Sequence, residues 1–286
     1  MKKWLLGARP RTLPAAIAPV LVGTSLQRNQ HGSLAIVNAL LALAVSLLLQ
    51  IAVNYANDYS DGVKGTDEVR VGPIRLVASG MASAQSVKRA AYLAFLLASI
   101  FGAVLALRTS LWLIAVGIIA IIAAWNYTGG KSPYGYSGLG EVSVFIFFGL
   151  VATMGSYFAQ SQKISWQSFL LAIPVGALAC ALLAINNLRD LPKDALVGKR
   201  TVAVRIGDAN ARYLFIGLLA LAHFTVLLAA TITPWVLLSV VLIPFTIKIS
   251  GKIMAGSAGR DLIPLLGKTA RLQLLLSTTL ALALWL

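Results

Sequence analysis

Nine acidic residues stand in a chain of 286, and six of them fall in two short windows. The first reads Asn54-Tyr55-Ala56-Asn57-Asp58-Tyr59-Ser60-Asp61-Gly62-Val63-Lys64-Gly65-Thr66-Asp67-Glu68, the second Asn186-Asn187-Leu188-Arg189-Asp190-Leu191-Pro192-Lys193-Asp194. Residues three and four apart share a helix face, so Asn54, Asp58 and Asp61 are expected on one stripe and Asn187, Asp190 and Asp194 on another. Pro192 is able to break the second helix before its final turn. Carboxylates that converge near the end of an apolar helix are costly and repel one another, and a hard divalent cation relieves both penalties. Neither window holds His or Cys, so the donors are oxygens, which favour Mg²⁺ over zinc or copper. Mg²⁺ keeps part of its water shell and is usually held by one or two carboxylates plus substrate phosphates. Two Asp stripes facing one another therefore point to a diphosphate held by metal at Asp58, Asp61, Asp190 and Asp194, with Asp67 a further candidate ligand.

The basic residues around the acids suit the same anion. Lys64, Arg70 and Arg75 follow the first window, Arg189 and Lys193 stand in the second with Lys199 and Arg200 just beyond, and Lys131 lies between them. A diphosphate needs such donors because metal bridges only some of its oxygens and a leaving diphosphate gains charge. Lys131 and Arg75 are favoured, since neither belongs to a basic run. Tyr55, Tyr59, Asn54, Asn57 and Asn187 could shape the site or shield a cation, although tyrosines at this depth also serve as interfacial anchors. The glycine-rich stretch 128–141 lacks phosphate-loop spacing and is expected to be a flexible loop carrying Lys131 over the site, with Glu141 pairing a cation or touching a second substrate. His31, His223 and the lone Cys180 read as structural.

The elements that must position these residues are membrane helices. Residues of the set AVILMFWYC make up 58% of the chain and charged ones only 12%, more apolar surface than a soluble globule can hide. The apolar blocks fall near 13–27, 34–56, 90–107, 111–127, 140–159, 167–188, 213–230, 234–250 and 270–286, each about long enough to cross a bilayer. With the N-terminus in the cytoplasm, 21 of the 24 Lys and Arg fall on that side, and only Arg28, Arg108 and Lys163 on the other. That asymmetry supports an odd number of spans. It also accounts for the net charge of +15 without a nucleic-acid partner. The expected architecture is an all-α polytopic bundle of nine transmembrane helices around a central cavity, one integral domain over 1–286. The two long loops, 57–89 and 189–212, are both cytoplasmic, and the acidic motifs recur 132 residues apart. The expectation is a pseudo-repeat of two four-helix halves plus a ninth helix.

Asn57-Asp58-Tyr59-Ser60-Asp61 and Asp190-Leu191-Pro192-Lys193-Asp194 resemble the N-D-x-x-D and D-x-x-x-D motifs of the UbiA superfamily of intramembrane prenyltransferases, and the resemblance extends over span number and loop lengths. Ala8-Arg9-Pro10-Arg11-Thr12-Leu13-Pro14, the run from Gly62 to Asp67, Arg70-Val71-Gly72-Pro73 and Tyr127-Thr128-Gly129-Gly130 are most similar to its 1,4-dihydroxy-2-naphthoate polyprenyltransferase branch. The third Asp common in the longer first motif is replaced here by Gly65, and Asp67 lies two residues further on. The resemblance implies Mg²⁺, with Mn²⁺ as a substitute, and an allylic polyprenyl diphosphate as donor. It implies dihydroxynaphthoate as acceptor, with loss of CO₂, and a bacterial inner membrane with the site facing the cytoplasm. Other acceptors of the superfamily, namely 4-hydroxybenzoate, haem, chlorophyllide or a glycerol phosphate lipid, are the alternative. A cation-coupled transporter is a second, of a different class, since acids in membrane helices also mark ion pathways.

Overall fold

In a computed structural model the chain is described at residues 2–66, 72 and 74–286, and every regular element among them is helical. A short helix α1 (Lys2–Ala8) leads into α2 (Pro14–His31), α3 (Ile36–Val63), α4 (Ala84–Arg108) and α5 (Trp112–Asn126). Then come α6 (Gly140–Ser161), α7 (Trp166–Leu196), α8 (Val202–Thr231), α9 (Pro234–Met254) and α10 (Leu262–Ala283). Six of these, α3, α4, α6, α7, α8 and α9, are long and apolar enough to cross a membrane. Helix α5 is apolar but shorter, and α2 and α10 fall outside that class. In α2 the run Gln27-Arg28-Asn29-Gln30-His31 dilutes the apolar stretch.

Helix α7 is the centre of the molecule. Of its most apolar window 83% is buried within the protein, against 17% to 33% for the other five. Leu171, Val175, Leu178, Ala181 and Ile185 of α7 join Ala18, Val22 and Leu26 of α2, Phe215 and Leu219 of α8 and Leu272, Leu276 and Leu280 of α10 in one core. A second core joins α1, α3, α4 and the 76–77 segment through Ala52, Tyr55, Ala56, Leu76, Val87 and Ala91. Among the described residues the outer faces of the remaining helices carry many exposed apolar side chains, as suits helices in lipid, where backbone groups can be satisfied only inside a helix.

Close helix approach depends on glycine. A Cβ at Gly149 would lie 2.7 Å from the Cα of Gly176, and one at Gly23 would lie 2.3 Å from the carbonyl oxygen of Thr153. Without a hydrophobic driving force between helices in lipid, such small-residue crossings let dispersion act over backbone area. Gly149 sits in a π-helical stretch of α6, Phe145–Val151, a widening of the helix at its crossing with α7.

The structure alters the expected boundaries in one consequential way. Helix α3 continues to Val63 and α7 to Leu196, past the expected loop starts at 57 and 189, so Asp58, Asp61, Asp190 and Asp194 stand in the last turns of two helices. Pro192 does not break α7, which runs on through it to Leu196 with the proline ring exposed.

Candidate active site

Two cavities meet between the motif-bearing ends of α3 and α7. The first, about 560 Å³, is polar. Among the described residues it is lined by Arg9, Arg11, Arg75, Arg189, Lys193 and Lys199 against Asp61, Asp190 and Asp194. The second, about 550 Å³, is walled by Val45, Leu49, Ile118, Ile121, Phe147, Phe148 and similar apolar side chains of α3, α4, α5 and α6. Arg9, Thr12, Asn57, Tyr127 and Asn186 border both.

On α3 the stripe that faces the cavities is Gln50, Asn54, Asn57 and Asp61, spaced four, three and four. Asp58, expected on that stripe, turns the other way. It is fully buried, and its carboxylate accepts hydrogen bonds from the backbone N–H of Leu76 at 2.9 Å and of Val77 at 3.1 Å. Gly62, one turn on, makes room for the same segment, because a Cβ there would lie 2.5 Å from Val77 Cγ1. Residues three apart on a helix differ by about 60° around its axis, enough for the rim of the cavity to fall between Asp58 and Asp61. Asp58 thus holds the 74–79 turn, and through it Arg75, against the site.

Asp61 is the hub. It is 3% exposed, accepts a short hydrogen bond from the Tyr136 hydroxyl, and has Lys199 Nζ at 3.4 Å and an Arg75 guanidinium nitrogen at 3.6 Å. Lys199 reaches it because Gly198, with φ of +75°, reverses the chain at the end of α7 and lets the Lys199 N–H donate to the Asp194 carbonyl at 2.8 Å. Across the cavity the expected stripe of Asn187, Asp190 and Asp194 lines the wall, together with Asn186 and Lys193. Arg189 forks onto Asp190 with bonds of 2.8 and 2.7 Å, and Asn187 donates to Glu141 at 2.9 Å. Lys193 Nζ is buried without a hydrogen-bond partner among the described residues. A buried ammonium in that state is costly, and an anion entering the cavity would satisfy it.

Several expected residues stand elsewhere. Lys131 is exposed and lines neither cavity; the glycine-rich loop instead brings Tyr136 over the site, on a turn where Gly135 packs against the Tyr127 carbonyl. Tyr55 donates to the Trp4 carbonyl at 2.7 Å, and Tyr59 stacks on Trp125, so neither lines a cavity. Lys64 donates to the Thr128 carbonyl at 2.8 Å behind the lining, where burial lowers its pKa and the Asp61 charge partly offsets that. Asn57 accepts from Thr128 at 2.8 Å, and Asn54 ties α3 to the Ala8 carbonyl at 2.9 Å. Asp67, Glu68 and Arg70 lie outside the described residues. Arg9, Tyr136 and Tyr127 line the site without having been expected there. The left-handed bend at Arg9 leaves no mark in composition or periodicity, whereas the Thr-Gly-Gly-Lys run drew attention to the wrong end of the Tyr136 loop.

Among the described residues no three acids, histidines or cysteines form a ready-made metal cage. An oxygen-only donor set of Asp61, Asp190, Asp194 and Asn57 around a cavity of about 560 Å³ nevertheless fits an ion that retains water and takes oxygens from its substrate.

The UbiA prenyltransferase family matches the chain over residues 16–266. The chain belongs to that family. A 1,4-dihydroxy-2-naphthoate octaprenyltransferase of Mycobacterium tuberculosis is 48% identical over 279 residues, 98% of this chain and 95% of the relative. Its namesake in Escherichia coli is 38% identical over 295 residues, 99% and 95% of the two chains. A solved UbiA homologue from Archaeoglobus fulgidus bound to DMAPP and Mg²⁺ superposes with a TM-score of 0.70 at 15% identity, covering 99% of each chain. One from Aeropyrum pernix gives 0.73 at 15% identity over 93% and 96%. These two establish that this UbiA family member shares the fold; the chemistry rests on the nearer sequences and on the site.

Proposed function

We propose that the chain transfers a polyprenyl group from an allylic polyprenyl diphosphate to 1,4-dihydroxy-2-naphthoate, releasing diphosphate and CO₂ and building the demethylmenaquinone skeleton. The observation that carries this reading is the meeting of a cation-rich, carboxylate-bearing cavity with an apolar one at a shared border, because the donor substrate has that same division. Relatives at 48% and 38% identity bearing the dihydroxynaphthoate name support the acceptor.

Arg75, Arg189, Lys193 and Lys199 hold the diphosphate, and the tail lies in the apolar cavity. Asp61, Asp190 and Asp194, with Asn57, hold Mg²⁺, or Mn²⁺ in its place, while Asp58 positions the 74–79 turn; Asp67 stays a candidate outside the described residues. Bound Mg²⁺ supplies positive charge to the phosphate oxygens as the leaving group forms. The C–O bond breaks with its electron pair passing to diphosphate, and the allylic carbon is attacked by the ring carbon that bears the carboxylate. Loss of CO₂ from that carbon restores aromaticity, so the step needs no protein base. The buried cations stabilise charge that exists only once the bond has begun to break.

The same reading extends to topology. We assign nine spans, α2 to α10, with the N-terminus and both motif ends in the cytoplasm of a bacterial inner membrane, supported by the 21 to 3 distribution of Lys and Arg. Two halves related by a pseudo-repeat are supported by α3 packing along α4 as α7 packs along α8.

Membranes containing the protein, given labelled polyprenyl diphosphate, Mg²⁺ and a panel of acceptors, should prenylate dihydroxynaphthoate and stop on addition of EDTA. Transfer to 4-hydroxybenzoate alone, or to no acceptor, would overturn the assignment.

A further inference from the structure

The ring acceptor must reach the prenyl carbon that leaves the diphosphate, and that carbon lies where the polar cavity passes into the apolar one. Among the described residues Arg9 is the single charged side chain bordering both, and the only charged one in the lining of the apolar cavity. The other five cations of the polar cavity lie on the far side of that border. Uncharged polar residues, namely Thr12, Gln50, Asn54, Asn57 and Asn186, line the apolar cavity along with Arg9, whose guanidinium donates to the Asn54 carbonyl at 3.3 Å.

The backbone at Arg9 is built to put a guanidinium there. Its φ of 52° and ψ of 71° are left-handed, a conformation costly for a residue with a Cβ and more so before a proline. The bend is held by the Arg9 N–H donating to the Leu6 carbonyl at 3.1 Å and by the Thr12 N–H and hydroxyl donating to the Arg9 carbonyl at 2.9 and 3.0 Å. From α3, Asn54 donates to Thr12 at 3.0 Å and to the Ala8 carbonyl at 2.9 Å, and Gln50 to Thr12 at 3.2 Å. Backbone strain that is over-determined by its surroundings in this way concentrates where a ligand is gripped.

We propose that Arg9 binds the carboxylate of the aromatic acceptor, with the Asn and Gln side chains beside it meeting the ring hydroxyls, and so selects acceptors that carry a carboxylate. The proposal rests on the prenyl-transfer reading above. A guanidinium fork matches a carboxylate in a way an ammonium does not. Holding the carboxylate at the border also presents the carbon that bears it to the allylic centre, in the order that prenylation followed by loss of CO₂ demands.

Steady-state kinetics with two acceptors, dihydroxynaphthoate and the carboxylate-free 1,4-dihydroxynaphthalene, test it. In Arg9→Gln the KM for dihydroxynaphthoate should rise by about tenfold or more, the loss of a charge-assisted pair, while the KM for polyprenyl diphosphate stays within about twofold. Turnover of the carboxylate-free acceptor, whose attacked ring carbon gives up a proton to solvent in place of CO₂, should change by less than about twofold, so the preference between acceptors collapses. Arg9→Lys, which keeps the charge and perturbs the bend least, should show a smaller rise confined to the carboxylate-bearing acceptor, and it carries the test if Arg9→Gln fails to insert. Equal losses with both acceptors, or a raised KM for polyprenyl diphosphate alone, would overturn the assignment to the acceptor. If the wild-type protein prenylates neither compound, the prenyl-transfer reading itself fails, and this one falls with it.

Discussion

Asp58 and Asp61 stand three residues apart and do different work. Both are buried, yet Asp58 spends its carboxylate on two backbone N–H groups, while Asp61 faces the cavity among Arg75, Lys199 and Tyr136. Asp58→Ala leaves the buried Leu76 N–H and the partly buried Val77 N–H unpaired, the buried one costing about 1–3 kcal/mol, so thermal stability in detergent should drop clearly. Asp61→Asn keeps the shape of the side chain and removes the charge, and kcat should fall by about 10²–10³-fold with a much smaller change in melting temperature. Raising Mg²⁺ should recover part of the Asp61→Asn activity and none of the Asp58→Ala stability. Melting curves and Mg²⁺ titrations on the two purified variants decide the matter; a reversed pattern would return Asp58 to the metal site.

The elements hold the site through crossings that tolerate no side chain. Gly149 and Gly176 bring α6 and α7 into backbone contact, and α7 carries Asn187, Asp190, Lys193 and Asp194 at its far end. Gly176→Leu would drive a side chain into Phe145 and the Gly149 backbone, and overpacking of this kind costs about 1–3 kcal/mol. We expect lower folded yield and lower activity together, read by detergent size-exclusion and turnover. Gly155 is the control. A Cβ there meets nothing within 4 Å, so Gly155→Ala should fold at least as well as wild type, alanine being about 1 kcal/mol the better helix former. Equal behaviour of the two variants would remove the crossing from the account.

For the molecule as a whole, the apolar cavity sets which tails can bind. Gly102, Gly117 and Gly155 line it, and a Cβ at Gly117 or Gly155 would enter open space. Those bare walls are room for a chain. Gly155→Phe should therefore fold but shorten the cavity. Each methylene kept out of an apolar site forfeits about 0.8 kcal/mol, so excluding two lowers kcat/KM for a long polyprenyl diphosphate by about tenfold. A geranyl diphosphate donor should be unaffected, and competition between the two donors in one reaction reads the ratio directly. An unchanged ratio would show that the tail runs elsewhere.

Membrane residence, the helical class, the two acidic windows and the cationic character of the site were all legible in the residues. Those properties depend on composition and on local spacing, which a sequence states outright. The shared helix face of Asp190 and Asp194, which lines the polar cavity, was legible too, because a spacing of four residues states it. The division of labour between Asp58 and Asp61 was not, since a helix ambiguous by 60° is resolved only by what packs on it, here the 74–79 turn. Lys131 looked closer to the site than Tyr136 because charge is visible in a sequence and loop direction is not. Arg9 was hidden for the same reason: its role depends on one left-handed bend, pinned by Thr12 within the bend and by Gln50 and Asn54 of α3. What composition and helical periodicity dictate, the sequence determined by itself; which flank of each helix meets the cavity is decided by long-range packing, and only the tertiary structure carries it.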